Sequence, residues 1–176
     1  MSGMYGMNIK MAIYGESHGA SIGLVVDGVP PGLKLDLEAI EKEMARRAPG
    51  KNQLSTQRKE SDSFAIQSGF FEGYTTGTPL CVVIKNSDQH SKDYSILKDK
   101  MRPGHADYAG FVRYQGFNDY RGGGHFSGRL TAPLVFIGAV AKQALAQEGM
   151  LVGAHILQIA DVKEENFNRC LILKVC

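Results

Sequence analysis

An α/β fold in a single domain, residues 1–176, is what this sequence predicts, and three observations predict it. Short segments of alternating apolar and polar residues are separated by turns rich in glycine and proline. One amphipathic helix is bracketed by a cap and a Pro-Gly stop, and a longer, wholly apolar helix follows later. Strands interleaved with helices in this order indicate a mixed α/β arrangement, with no internal repeat to suggest an array. The chain has 176 residues, 43% hydrophobic and 22% charged, which is material for a substantial core.

The first strand is expected from Asn8 to Tyr14, running into the turn Gly15-Glu-Ser-His-Gly19. A second, from Ile22 to Val29, stops at Pro30-Pro-Gly32. Asp36 is placed to cap a helix with Glu38 in its first turn, Leu37, Ile40 and Met44 along one face, and Arg46 and Arg47 at its end before Pro49-Gly50. A polar stretch from Lys51 to Asp62 precedes strands at Ser63 to Phe71 and Leu80 to Lys85, which Gly73 and Thr75-Thr-Gly-Thr-Pro79 join as a hairpin. The segment Lys98 to Arg129 is crowded with glycine and arginine. The helix from Thr131 to Gln147 is hydrophobic all round, which predicts burial on every side, and Gly149 terminates it. Val152 to Ile159 reads as a further strand, and the apolar end from Cys170 to Cys176 reads as a chain cut in mid-strand.

A formal net charge of +2 is too mild for a nucleic-acid binder, which would show a dense basic face. Cys81, Cys170 and Cys176 are odd in number and lack metal-ligand spacing, so neither a disulfide framework nor a metal site is expected and a reducing cytoplasm fits. No uninterrupted apolar run approaches the roughly 20 residues of a spanning helix, and the start lacks signal-peptide features. No membrane partner is expected.

Three segments could carry chemistry. In Gly15-Glu-Ser-His-Gly19, glycines allow a sharp turn and close approach of a ligand to His18, whose ordinary pKa near neutrality suits proton transfer. A tight turn whose histidine bonds the backbone is the competing reading. In Arg102-Pro-Gly-His-Ala-Asp107, His105 is flanked by a cation and a carboxylate; Asp107 could orient the imidazole or serve a helix dipole. In Tyr120-Arg-Gly-Gly-Gly-His-Phe-Ser-Gly-Arg129, a triple glycine stands beside two arginines, His125 and Ser127. That composition suits an anion cradle, yet it fits neither the dinucleotide nor the P-loop pattern, and a plain loop explains it equally. Arg46, Arg47, Arg58, Arg102, Arg113, Arg121 and Arg129 sit mostly at turns, as a ligand with several negative groups would require, although each alone could be a surface charge.

Taken together, Gly15-Glu-Ser-His-Gly19, Val26-Asp-Gly-Val-Pro30, Arg46-Arg-Ala-Pro-Gly50, Ser68-Gly69, Thr75-Thr-Gly-Thr-Pro79, Arg102-Pro-Gly-His-Ala-Asp107 and Asp119-Tyr-Arg-Gly-Gly-Gly124 resemble, in order and spacing, the amino-terminal part of the chorismate synthase family. The resemblance implies a β-α-β sandwich, incomplete here, in which layers of sheet enclose the buried helix. It also implies conversion of 5-enolpyruvylshikimate 3-phosphate to chorismate and phosphate by a 1,4-elimination that needs reduced FMN, in a cytoplasmic homotetramer of the shikimate pathway. His18 resembles the histidine that protonates the departing phosphate and His105 the one that serves the reduced flavin. Ser17, Arg102, His105 and Ser127 resemble flavin-contacting positions, and Arg46, Arg47 and Arg129 substrate-binding ones.

The sequence departs from the commonest family pattern after the triple glycine. His125 stands where an arginine is expected and Leu130 where a glutamate is, while Ser127 and Arg129 keep their places. The family chain is roughly twice as long, and its second half contributes flavin contacts and a catalytic aspartate, so an inactive fragment is one expectation. A silent binding module that keeps the anion-binding loops is a rival, and another kind of flavoprotein a third.

Overall fold

The computed structural model describes residues 3–48, 62–87, 98 and 100–164. Arg58, His90, the polar stretch short of Asp62 and the apolar end from Cys170 lie outside the described residues.

Alternation builds the sheet. In β3 (Ser21–Asp27), Ile22, Leu24 and Val26 point to one side and are fully buried; in β7 (Leu80–Lys85), Leu80, Val82 and Ile84 do the same. These strands pair antiparallel with Leu24 opposite Val82. β2 (Lys10–Gly15) adds Ile13 opposite Leu24, and β4 (Phe64–Ser68) adds Ile66 opposite Val82, so one apolar row crosses four strands. With β1 (Met4–Tyr5) on the outer edge, the order is β1-β2-β3-β7-β4. On the opposite face Gly23 leaves room for Tyr14, since a Cβ there would stand 2.4 Å from the tyrosine hydroxyl, which donates to the Val82 carbonyl at 3.2 Å.

Two helices cover the apolar row. α1 (Leu37–Arg47) starts where the Asp36 carboxylate accepts from the Ala39 N–H at 3.0 Å, a cap worth about 1 kcal/mol. Its buried residues Ile40 and Met44 join Phe136, Ala139 and Val140 of α3 (Ala132–Gln147) in the core. Each of these side chains except Ala139 contributes roughly 1.5–3 kcal/mol of burial. Phe136 meets Phe64 edge-on at 4.9 Å, and Gln143 ties α3 to the start of α1 by exchanging two hydrogen bonds with the Asp36 backbone.

The expected hairpin from Ser63 to Lys85 forms, with a bulge between Ile66 and Ser68 and a small inserted hairpin, β5 (Phe70–Phe71) and β6 (Tyr74–Thr75). Two expectations are corrected. α3 is buried along one side, while Leu134 is 38% exposed: one sheet and one helix face only half of it. The strand expected from Val152 to Ile159 is reduced to β8 (Gln158–Ile159) paired with β9 (Val162–Lys163), because alternation makes a ladder only where a neighbouring strand exists. The described residues thus form one sheet layer on one helical layer, and the α/β class stands. The helical stretch Arg121–Gln147 is long and apolar enough to cross a membrane by composition, but it is broken at Gly122–Gly124, and the 16 residues of α3 fall short of the roughly 20 that a span requires.

Candidate active site

The first element of the site is the connection between β2 and β3. Gly19 N–H closes the turn on the Glu16 carbonyl at 3.0 Å, and Ser17 and His18 are buried. The Asn86 side chain, just past β7, braces this turn: Nδ2 donates to the carbonyls of Glu16 (3.0 Å) and Gly19 (2.8 Å).

The second element is the triple glycine. Gly122, Gly123 and Gly124 have φ of 58°, 85° and 54°, a left-handed run that residues with a Cβ rarely adopt. The Gly124 carbonyl accepts from the Ser17 N–H at 3.0 Å, so this segment lies directly on the His18 turn. A Cβ on Gly122 would stand 2.5 Å from Cδ2 of His18, and one on Gly123 would stand 2.8 Å from Cε1 of His105. Consecutive glycines therefore touch the two imidazoles that the sequence singles out.

The third element holds His105. Asp107 opens α2 (Asp107–Arg113) and places Oδ1 2.5 Å from Nδ1 of His105. Arg102 grips the same carboxylate with Nε (2.8 Å), Nη2 (2.9 Å) and its backbone N–H (3.0 Å), and its Nη2 lies 3.2–3.3 Å from the two ring nitrogens of His105. The Arg102 hydrogen bonds hold the Asp107 carboxyl far below the usual carboxylate range. Asp107 thus orients the ring as well as opening the helix. Asp119, bound twice by the Arg121 guanidinium, is likewise held down, with His18 contributing a smaller attraction. A cavity of about 340 Å³ beside Asp107, Asp119 and Gly123 is walled by Phe111, Tyr120 and Phe126.

The remaining arginines divide. Arg129 is 5% exposed; its guanidinium binds Asp62, donates to Asn86 Oδ1 at 3.1 Å and reaches the Lys85 carbonyl at 3.4 Å. Arg47 binds the other oxygen of Asp62 at 2.5 Å and approaches the Gly128 carbonyl at 3.4 Å. Arg46 stands on the helix surface, paired with Glu43, away from these groups. Ser127 caps the short helix Gly128–Thr131 by accepting from the Arg129 N–H at 3.3 Å. Arg47 and Arg129 therefore meet at a buried carboxylate, and Ser17, His18, Arg102 and His105 meet around the glycines. Asp62 and Asn86 escaped the sequence reading: one ends a polar stretch without pattern, and the other follows a strand with no motif around it.

The substituted positions are accommodated. His125 Nδ1 lies 2.9 Å from the Gly15 carbonyl, Phe126 packs on Gly110 and Tyr114, and Leu130 is buried in the core.

The family model for chorismate synthase matches residues 9–174. The chain belongs to the chorismate synthase family. It is 47% identical over 163 residues to the chorismate synthase of Cytophaga hutchinsonii, covering 93% of this chain and 45% of the relative. It is 49% identical over 162 residues to that of Pyrococcus abyssi, covering 91% of this chain and 45% of the relative. A crystal structure of chorismate synthase superposes with a TM-score of 0.58 at 30% identity, over 81% of this chain and 35% of that one. The chain thus spans less than half the length of the chorismate synthases it matches.

Proposed function

We propose that this chain, as a single α/β domain, supplies the histidine pair of a chorismate synthase, the phosphate-eliminating lyase that converts 5-enolpyruvylshikimate 3-phosphate to chorismate and phosphate with reduced FMN. One observation carries the reading: Gly122 and Gly123, adjacent in the chain, contact His18 and His105. Two imidazoles, the side chains best suited to proton transfer, share one wall.

His105 has Nδ1 against Asp107 and Nε2 toward Gly123, with the Arg102 guanidinium beside both ring nitrogens. The carboxylate fixes the orientation of the ring that would serve the flavin. His18, buried with Ser17 under Gly122, gives its proton to the departing phosphate oxygen in a place where little water competes. Arg47 is the substrate-side cation in this reading, with its guanidinium already reaching the Gly128 carbonyl. Arg129 shares Asp62 with Arg47, Ser127 caps the short helix that carries Arg129, and Arg46, the third substrate-binding candidate, would have to turn from Glu43 to reach a substrate.

The residues suit a flavin in kind. Three consecutive glycines let Ser17, His18, His105 and Arg102 crowd against the backbone, and an aromatic-walled cavity adjoins. Arg102, His105, Ser17 and Ser127 would hold it. Reduced FMN, when bound, supplies electron density that eases loss of the phosphate. We place the whole enzyme in the cytoplasm as a homotetramer.

The test is anaerobic turnover of 5-enolpyruvylshikimate 3-phosphate with chemically reduced FMN, following chorismate by absorbance. It is run on this chain alone, on this chain joined to the remaining residues of the Cytophaga hutchinsonii relative, and on that relative as control. Chorismate from the joined chain that disappears in His18→Ala and His105→Ala supports the proposal; none from a folded joined chain, with an active control, overturns it. The span of less than half a relative's length favours a second reading, a binding module that does no elimination, and substrate binding without turnover by the joined chain would establish that instead.

A further inference from the structure

We infer that Asn86 is a positioning residue for the His18 turn, bracing it against the buried ion cluster of Arg129 and Asp62. Asn86 is 8% exposed and sits where β7 ends beside the start of β3. Its backbone N–H donates to the Ala20 carbonyl at 3.2 Å, and Nδ2 donates to the carbonyls of Glu16 and Gly19. Those two carbonyls flank Ser17 and His18 in sequence, so one amide group spans the part of the turn that carries the imidazole. Its other end, Oδ1, accepts from Arg129 Nε, and Arg129 is itself fixed by Asp62.

The neighbours settle which end of the amide is which. Two carbonyl oxygens require the NH₂ end and a guanidinium requires the oxygen. No other side chain of this size offers two donors on one side and an acceptor on the other. Aspartate, with the same shape, would keep the link to Arg129 while setting a carboxylate against two carbonyls. Asn86→Asp therefore separates bracing of the turn from anchoring of the cluster.

The assignment draws its meaning from the proposed proton role of His18, but its test reads no turnover. In isotope-labelled chain, amide hydrogen exchange and the histidine ring signals are compared between the unaltered protein and Asn86→Asp. Losing the two bonds to the turn should speed exchange at His18 and Gly19 about tenfold and shift the His18 ring signals. The His105 ring and the β3 and β7 amides should remain as they were. An unchanged His18 ring and unchanged turn amides in folded Asn86→Asp overturn the assignment, even where the turnover test succeeds. Where Asn86→Asp does not fold, Asn86→Ser carries the measurement, because its hydroxyl has one hydrogen and can donate to at most one of the carbonyls. Wild-type exchange in a folded Asn86→Ser, protection lost evenly across the sheet, or failure of both variants to fold each overturns it, since Asn86 would then serve the fold at large.

Discussion

Gly122 lies against the imidazole of His18, so close that a Cβ there would stand 2.6 Å from Nε2. Gly123 bears the same relation to His105, 3.0 Å from its Nε2. Alanine at either position also faces a left-handed backbone, which costs about 1–2 kcal/mol. Gly122→Ala and Gly123→Ala should therefore destabilise the chain by similar amounts in urea. They should differ in the ring they disturb: His18 signals move in the first and His105 signals in the second. The same shift in both variants would show that the two contacts are not separate.

Acid should unfold the chain through Asp107 and Asp119, whose carboxyls are held down chiefly by hydrogen bonds from Arg102 and Arg121. As pH falls, the unfolded chain takes up protons first, at ordinary carboxylate values. The stabilisation is complete above about pH 4 and is lost as pH falls toward the depressed folded values. Urea midpoints measured down to about pH 3 should drop below about pH 4, with a shallower drop in Asp107→Asn. An equal slope in that variant would remove Asp107 from the account.

Asp62 answers two guanidiniums at once. Asp62→Asn leaves Arg47 and Arg129 facing each other without the carboxylate, which should cost about 3–5 kcal/mol in denaturant unfolding. The pair Asp62→Leu with Arg129→Met should cost less than Asp62→Asn alone, since it removes the deeply buried guanidinium with the carboxylate and leaves only Arg47, itself partly exposed, to lose its Asp62 bond. A larger loss in the pair would mean that packing, rather than charge, governs this corner.

Leu130 belongs to the core at 7% exposure. Leu130→Glu should lower stability by about 3 kcal/mol or more, because it sets a carboxylate in the hydrophobic core cluster to which Leu130 belongs. Unaltered thermal unfolding would show that the short helix Gly128–Thr131 can turn the carboxylate outward.

What could be read from sequence alone was local. The Asp36 cap, the face made by Ile40 and Met44, and the alternation of β3 and β7 depend on neighbours a few residues away. His18, His105 and the triple glycine stood out one by one for the same reason. Their meeting did not, because contacts between residues 18, 105 and 122–123 depend on how the chain returns on itself. Arg129 shows the limit most clearly: a guanidinium beside glycines suits an anion, and here the anion it binds is the chain's own Asp62, supplied from 67 positions away. α3 misled in another way, since a small apolar side chain such as alanine is tolerated on either face and composition does not say which face is covered.

The Ser17 N–H is held by Gly124, and the turn around His18 by Asn86. Protein synthesis runs at about 5–20 residues per second, so the ribosome delivers His18 seconds before the glycine that completes its surroundings. The turn is made well before the residue that completes it. A nascent chain halted before residue 124 carries the histidine without its wall, and no such intermediate can do the chemistry proposed for the finished protein.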